Sequence, residues 1–373
     1  MKFTVSKDNL SNLLYLASSI VQVRNTMPIL ANVKIKAEGK TLSVSATDLE
    51  ISLLGNTEAE VEKPGELTVA AKVLYDIVRE LPDSEISVSE NGNGRLEISS
   101  GKSRFKINGV SADEFPNLVG CSLKKHVSVE ASKLAEMLEK TAFAVSTDET
   151  RYNINGVCIE MVDGGKSKTQ NLRFVATDGH RLAMIDRPAE GVKIDSNVII
   201  PRKGISELRK VLELNDGAAK VGFNEGFFTV QSGDVTLGIR LVDGQFPDYR
   251  QVLPKDVKTT VTIPKTDFLA AIKRVALVTT DRSRTVKFNI TGETLTLSSS
   301  SPEHGEAMDK LEINKDGDDV EIGFSARYVT DLLNSMSSAE NISIKLNGDL
   351  GPGLFIGNSD EEHQAIVMPM RFD

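Results

Sequence analysis

A short strand followed at a fixed distance by the first anchor of an amphipathic helix occurs six times in this chain. That recurrence limits the fold more than any other feature. The clearest copy is 127–142. Val127 and Val129 alternate with Ser128, the period of a half-buried strand. Leu134, Met137, Leu138 and Thr141 then fall at i, i+3, i+4 and i+7, one stripe of a helix with Ser132 as its expected N-cap. The last strand residue and the first helix anchor are Val5/Leu10, Val69/Leu74, Val129/Leu134, Ile200/Ile205, Ile263/Phe268 and Phe324/Val329. Successive copies lie 64, 60, 71, 63 and 61 residues apart.

A longer period runs through the same chain. Ala46-Thr47-Asp48-Leu49 returns as Ala176-Thr177-Asp178-Gly179, and Phe115-Pro116 returns as Phe246-Pro247, with Met368-Pro369 in the same place near the end. The copies therefore pair off. The expectation is an α+β chain of three similar domains, each a duplicated strand-helix-strands unit, at 1–124, 125–255 and 256–373. A chain of 373 residues is too long for one ordinary core, and domains of this size are common. The spacing predicts helices over 7–20, 72–80, 131–145, 203–213, 265–278 and 326–336. It also predicts one continuous strand over 49–60 and another over 154–162.

No apolar run approaches the roughly 20 residues of a membrane span, so no membrane partner is expected. Met1-Lys2-Phe3-Thr4-Val5 enters a strand directly, which speaks against a signal peptide. Two cysteines without a CxxC pattern point to a reducing, cytoplasmic setting and to no zinc site. The net charge of −9 argues against nucleic acid until its distribution is considered. The segments 6–24, 70–82, 130–146, 201–214, 264–284 and 325–339 together carry +5, leaving −14 on everything else. A chain that segregates charge in this way can hold a polyanion on its basic side.

Catalytic motifs are weak. His126, His180, His304 and His363 have no metal-ligand spacing, so neither a metal nor a cofactor is expected. Gly164-Gly165-Lys166-Ser167 looks like the end of a phosphate loop, but Glu160 stands where a glycine is required. The best enzyme reading pairs Asp178 with His180 as acid and base. Its counterpart, Thr47-Asp48-Leu49-Glu50, lacks the histidine, which suits a scaffold turn later elaborated. A repeat scaffold that binds only proteins is the other alternative.

The stretches Thr177-Asp178-Gly179-His180-Arg181-Leu182, Val-Ile-Ile-Pro-Arg-Lys-Gly at 198–204, Leu-Val-Asp-Gly-Gln-Phe-Pro-Asp-Tyr-Arg at 241–250 and Met368-Pro369-Met370-Arg371 resemble the bacterial sliding clamps, the beta subunits of DNA polymerase III. The resemblance runs along the whole chain. It implies a head-to-tail homodimeric ring with two helices per domain inside and antiparallel sheets outside. Such a ring encircles double-stranded DNA, slides without reading sequence, and acts as a processivity factor and not an enzyme. It implies as partners the replicative polymerase catalytic subunit, an ATP-driven clamp loader and other proteins with a clamp-binding motif.

The resemblance also assigns residues. Arg24, Arg151, Tyr152 and Lys203 are implied DNA contacts. A partner-peptide pocket is implied at Ile154, Thr177, Gly179, His180, Arg181, Leu182, Pro247, Val252, Ile366, Met368, Pro369, Met370 and Arg371. The ring joint is implied at Phe105 and Ile107, on a strand over 102–109, against Leu277 and Val278. Asn153, Gln251 and the Phe372-Asp373 extension depart from the family pattern and bear on peptide selectivity.

Overall fold

The computed structural model describes every residue except 22–25, 83, 124–125, 165–169, 190, 193, 195, 215–216, 225, 280–284 and 373. Arg24 and the basic loop 281–284 thus lie outside the described residues. The first third of the chain forms β1 (Lys2–Ser6), α1 (Lys7–Ile20), β2 (Asn32–Glu38), β3 (Thr41–Thr47), β4 (Ile51–Glu58), β5 (Glu60–Lys63), β6 (Gly65–Ala70), α2 (Ala71–Glu80), β7 (Glu85–Glu90), β8 (Arg95–Ser100) and β9 (Ser103–Val110). The middle forms β10 (Val127–Glu130), α3 (Ala131–Ala142), β11 (Gly156–Asp163), β12 (Gln170–Thr177), β13 (Arg181–Pro188), β14 (Val198–Pro201), α4 (Arg202–Glu213), β15 (Ala218–Asn224), β16 (Phe227–Ser232) and β17 (Val235–Arg240). The last third forms β18 (Thr259–Pro264), α5 (Lys265–Val275), β19 (Thr285–Thr291), β20 (Thr294–Ser301), β21 (Gly305–Glu312), β22 (Asn314–Gly317), β23 (Val320–Ser325), α6 (Ala326–Ser335), β24 (Asn341–Leu346), β25 (Gly353–Gly357) and β26 (Asp360–Val367).

Each expected helix is present, and the helix stripes are the buried faces. On α1 they are Leu10, Leu13, Leu14 and Ala17; on α3 they are Leu134, Met137, Leu138 and Thr141. Several expected details are corrected. Ser132 does not cap α3, because β10 runs into the helix without a loop and Ser132 lies inside the first turn. The free amide at that helix start is met by backbone instead: Ala131 N donates to Gly217 O at 3.0 Å. Arg202 N to Asn155 O at 3.0 Å and Lys265 N to Glu340 O at 2.8 Å do the same for α4 and α5. A carbonyl from a distant segment replaces the local hydroxyl cap, so no cap residue is needed in sequence. Helix α3 stops at Ala142, and α5 tightens after Val275 into a 3-10 turn, Ala276–Val278. The strand expected over 49–60 is broken at Ala59, where the chain leaves the β3 ladder and β5 takes β1 as its partner. The strand expected over 154–162 begins only at Gly156, after a 3-10 turn, Tyr152–Ile154.

The chain forms two compact units, one of Met1–Ala135 with Lys203–Leu241 and one of Glu136–Arg202 with Val242–Asp373. Unit 1 holds a sheet in the order β10-β15-β16-β17-β4-β3-β2-β6-β9-β8-β7-β1-β5. Unit 2 holds one sheet in the order β14-β11-β12-β13-β26-β25-β24-β18-β22 and another in the order β21-β20-β19-β23. In each unit one antiparallel seam joins strands far apart in sequence. In unit 1, β4 pairs with β17, Ile51 opposite Ile239 and Leu53 opposite Leu237. In unit 2, β13 pairs with β26, Arg181 opposite Val367 and Leu182 opposite Ile366. Backbone ladders of this kind bind segments regardless of their order in the chain, which is why the middle third is shared between the units.

The unit 2 core carries a run of edge-to-face rings, Phe268–Phe288–Phe324–Phe355, with centroids 6.0, 5.2 and 5.7 Å apart. All four rings are fully buried, each contributing roughly 2–3 kcal/mol by area. Beside the seam lies a polar knot. Lys140 contacts Glu136 at 2.7 Å and Asp360 at 2.6 Å, and Arg187 contacts Glu136 at 2.8 Å and Asp360 at 2.6 Å. His363, 1% exposed, places Nε2 3.0 Å from Lys140 O, so that nitrogen is the donor. Burial, and then the Lys140 ammonium, lowers the His363 pKa to about 4.

That shift predicts an acid-sensitive step. The unfolded imidazole protonates near pH 6.5 and the folded one only near 4. Between those values the unfolded state binds the extra proton, so stability is complete above pH 6.5 and falls as pH drops towards 4. His363→Gln keeps a donor for Lys140 O but cannot titrate. Urea denaturation at pH 7 and pH 4.5 should therefore show the wild type losing about 2–3 kcal/mol more than this variant. Equal losses would mean that His363 is not the group responsible.

Candidate functional site

The turn between β12 and β13 is held by its own side chains. Asp178 Oδ1 accepts from His180 N at 2.9 Å and from Arg181 N at 3.0 Å. Thr177 Oγ1 accepts from Gly179 N at 3.0 Å and donates to Arg181 O at 2.6 Å. Gly179 sits at φ +91, a region that side chains disfavour. The turn between β3 and β4 repeats this bond for bond. Asp48 Oδ1 accepts from Glu50 N and Ile51 N, and Thr47 Oγ1 accepts from Leu49 N and donates to Ile51 O. Here Leu49 takes the positive φ, +77. The two sequence motifs are one structural device, used once in each unit.

In unit 2 the turn forms a wall of a cleft of about 180 Å³. Ile154, Thr177, Gly179, Arg181, Leu182, Pro247, Val252, Ile366 and Met368 line it, together with Arg151, Asp248 and Tyr249, which the pocket expectation had left out. His180, Pro369, Met370 and Arg371 are not among its lining residues. His180 lies against Tyr328 with ring centroids 6.4 Å apart, and its carbonyl accepts from Met368 N at 2.9 Å. Met370 is drawn away to the edge of β23, where its N–H donates to Gly323 O at 2.8 Å. A Cβ at Gly323 would come within 2.6 Å of Met370 O, so glycine is what lets the tail lie down there.

The Asp178–His180 acid-base pairing finds no support in the geometry. Asp178 Oδ1 is taken by the turn amides, and Oδ2 by Arg181 Nε at 3.1 Å. Arg181, 7% exposed, also reaches Asp331 at 2.6 Å and Phe143 O at 2.6 Å, and its guanidinium lies 4.5 Å from the Tyr328 ring centroid. A buried cation with this many partners is a structural anchor.

Tyr249 is the most buried of the three lining residues absent from the implied pocket, and a polar network fixes it. Its hydroxyl donates to Glu160 and accepts from Arg173 Nη1 at 3.1 Å. Arg173 grips Asp186 through two bonds of 2.6 Å, and Arg250 reaches Glu160 at 2.8 Å. Burial, and then the Glu160 carboxylate, pushes the Tyr249 hydroxyl up to about 12, so it stays a donor at neutral pH. Tyr249 and Asp248 stand inside the stretch 241–250 that carries the family resemblance, so the signal was present in the sequence; that they line the cleft was not.

Comparison with known proteins agrees along the full length. Three family models match, for the DNA polymerase III beta subunit N-terminal domain at residues 1–119, its central domain at 128–248 and its C-terminal domain at 250–371. The chain belongs to the beta sliding clamp family. It is 36% identical to a beta sliding clamp of Caulobacter vibrioides over 375 residues, covering 100% of both chains. A crystal structure of a Caulobacter crescentus beta sliding clamp superposes with a TM-score of 0.94 at 36% identity, over 100% of this chain and 99% of that one. A Bartonella birtlesii sliding clamp bound to griselimycin gives 0.93 at 36% identity, over 100% of each chain. The work of such a beta subunit is that of a processivity clamp for DNA polymerase III.

For a beta sliding clamp, the placement of the implied DNA contacts is informative. Lys203 is bonded to Asp48, whose side chain is 2% exposed, and to Ile20 O at 3.2 Å. Arg151 Nη1 donates to Asp178 O at 3.1 Å, which holds it at the rim of the cleft. Tyr152 is 60% exposed and its ring lies along Gly244. The implied ring-joint residues lie on strand and turn edges. Phe105 and Ile107 are on β9, which pairs with β8 along its length and with β6 only at Gly109 and Val110. Leu277, 80% exposed, and Val278 are in the 3-10 turn after α5.

Proposed function

We propose that two copies of this chain close head to tail into a ring around duplex DNA and tether the polymerase through the unit 2 cleft. The domains of that ring are taken as 1–124, 125–255 and 256–373. The observation that carries this reading is a pair of half-made seams. The turns at 47–51 and 177–181 lead into β4 and β13, and both strands have long-range partners within the chain, β17 and β26. In the last third the corresponding hairpin, β20 to β21, turns at 302–304, and among the described residues β21 pairs only with β20. Strand β9 is likewise open along 103–108. A second copy supplies each missing half, which also hides two exposed strand edges.

The repeat dictates the register. Counted from the turn glycines Gly39 and Gly292, Ala46 corresponds to Ser299, and their hairpin partners are Leu53 and Ala307. Counted from Gly101 and Gly233, Phe105 corresponds to Leu237. Leu53 pairs with Leu237, so Ala307 pairs with Phe105 of the second copy. Glu306 then faces Lys106 across the joint. Leu277 and the exposed Met308 flank the same edge.

Retention comes from threading, so contacts with DNA stay weak and blind to sequence. They are proposed at Arg24, Arg151, Tyr152 and Lys203, with Lys203 released from Asp48 when it engages a phosphate. The cleft, apolar apart from its rim, receives short linear motifs from the polymerase catalytic subunit, the clamp loader and other proteins. The clamp works in the cytoplasm, without catalysis, metal or cofactor. The deciding experiment loads the protein on nicked circular DNA and then linearises it. Retention on the circle and loss from the linear form is the expected result. Equal loss from both would leave ordinary surface binding, and no DNA binding at all would favour a protein-only scaffold.

A further inference from the structure

The two matched turns allow the surroundings of the cleft to be compared residue by residue with their counterpart in unit 1. A row of cross-strand partners starts at each turn. In unit 2 the row is Thr177, Leu182, Ile366 and Leu354, each opposite the next. Leu182 and Ile366 line the open cleft. In unit 1 the row is Thr47, Ser52, Gly238 and Thr229. Three large apolar side chains in one row are small or polar in the other.

The small row is covered. Residues 119–121, which follow Phe115-Pro116 as the cleft residues Tyr249 and Val252 follow Phe246-Pro247, lie across it. Val119 N donates to Ser52 Oγ at 3.2 Å, and Thr229 Oγ1 donates to Gly120 O at 2.6 Å. Cys121 Sγ is 3.5 Å from Ser52 O. A Cβ on Gly238 would lie 2.5 Å from Gly120 C and 2.6 Å from Val119 O. These are backbone atoms that cannot swing aside, so only glycine admits the segment. Gly120 itself sits at φ +69 against Phe227.

We propose that unit 1 carries a second copy of the cleft, closed from within by the chain's own residues 119–121 as its built-in ligand. The proposal rests on reading the unit 2 cleft as a receiver of peptides. Side chains of the row set the outcome. Ser52 and Thr229 offer the passing backbone one acceptor and one donor, and Gly238 gives it room. Leu182, Ile366 and Leu354 offer a passing backbone neither a polar partner nor room to lie against them; Phe246, Tyr249, Val252 and Leu253 pack on this cluster instead, and Leu182 and Ile366 still line the open cleft. One open cleft per chain, and not two, follows from this exchange.

Cys121 reports on the plug. Burial pushes its thiol up to about 12, against about 8.5 for a free cysteine, so the reactive thiolate is scarce while the segment is seated. Alkylation by N-ethylmaleimide at pH 7.4, followed at the Cys121 peptide by mass spectrometry, should be at least about tenfold faster in Gly238→Val than in the wild type. A synthetic clamp-binding-motif peptide should bind the wild type at one per chain by calorimetry. An unchanged Cys121 rate in folded Gly238→Val, or two peptides per wild-type chain, would overturn the plug. Should Gly238→Val fail to fold, Ser52→Ala removes a bond without adding bulk. A several-fold faster rate there supports the plug, and an unchanged rate sinks it. Absence of peptide binding to the wild type with Cys121 still responding would sink only the reading of the open cleft.

Discussion

Val252→Glu combined with Met368→Glu will leave the clamp folded and weaken binding of a clamp-binding-motif peptide by at least about 100-fold, close to 3 kcal/mol. Both positions line the cleft and both are partly exposed, so their carboxylates can reach water in the free protein. A bound peptide removes that water. Two carboxylates must then be desolvated against apolar walls, at several kcal/mol before any relaxation. Leu182 and Ile366 lie in the same cleft but are 3% and 1% exposed, so charge there would test folding instead. The measurement is fluorescence anisotropy of a labelled peptide, with unlabelled peptide as the competitor and thermal melting as the control. Binding within threefold of the wild type at an unchanged melting temperature would remove the cleft from consideration. Retention on circular DNA should persist, because the ring joint is untouched.

Phe105→Asp is expected to turn the dimer into monomers of 40.5 kDa by light scattering and to abolish retention on circular DNA. Phe105 is a large apolar side chain on an open strand edge, and the register proposed above sets it against Ala307 of the second copy. Burying an aspartate there opposes strand pairing and leaves a charge without a partner. The register has its own test. Lys106→Glu places like charges opposite each other with Glu306 and should weaken the dimer by roughly tenfold. Glu306→Lys alone should do the same, and the two together should restore association. Additive losses in the double variant would mean that another register, or another surface, forms the joint. Neither charge lies in the core, but Lys106 also stands 3.6 Å from Glu97 on β8, so thermal melting of the Lys106→Glu variant is the control.

Much of this was legible before any coordinates. The helix stripe at Leu134/Met137/Leu138/Thr141 and the helix anchor Leu10 are buried as their spacing requires, because a helix set on a sheet can hide only one face. The Thr-Asp turns were visible as repeated words. Helix starts were less so, since Gly217, Asn155 and Glu340 supply the caps from elsewhere in the chain. The cleft was legible where its residues sit in the motif and not where the tail leaves it. Met370 follows Met368 by two residues, yet Gly323 draws it to another strand.

By itself the sequence determined the sixfold strand-helix unit, the buried stripe of each helix and the two Thr-Asp turns, all of which depend on neighbours within a few residues. The tertiary structure decided which of the two turns stands beside an open cleft. That choice rests on Thr229, Gly238 and Ser52 in one unit and Leu354, Ile366 and Leu182 in the other. Each trio spans more than a hundred positions of chain, and only strand pairing sets its members side by side to admit a backbone or refuse it.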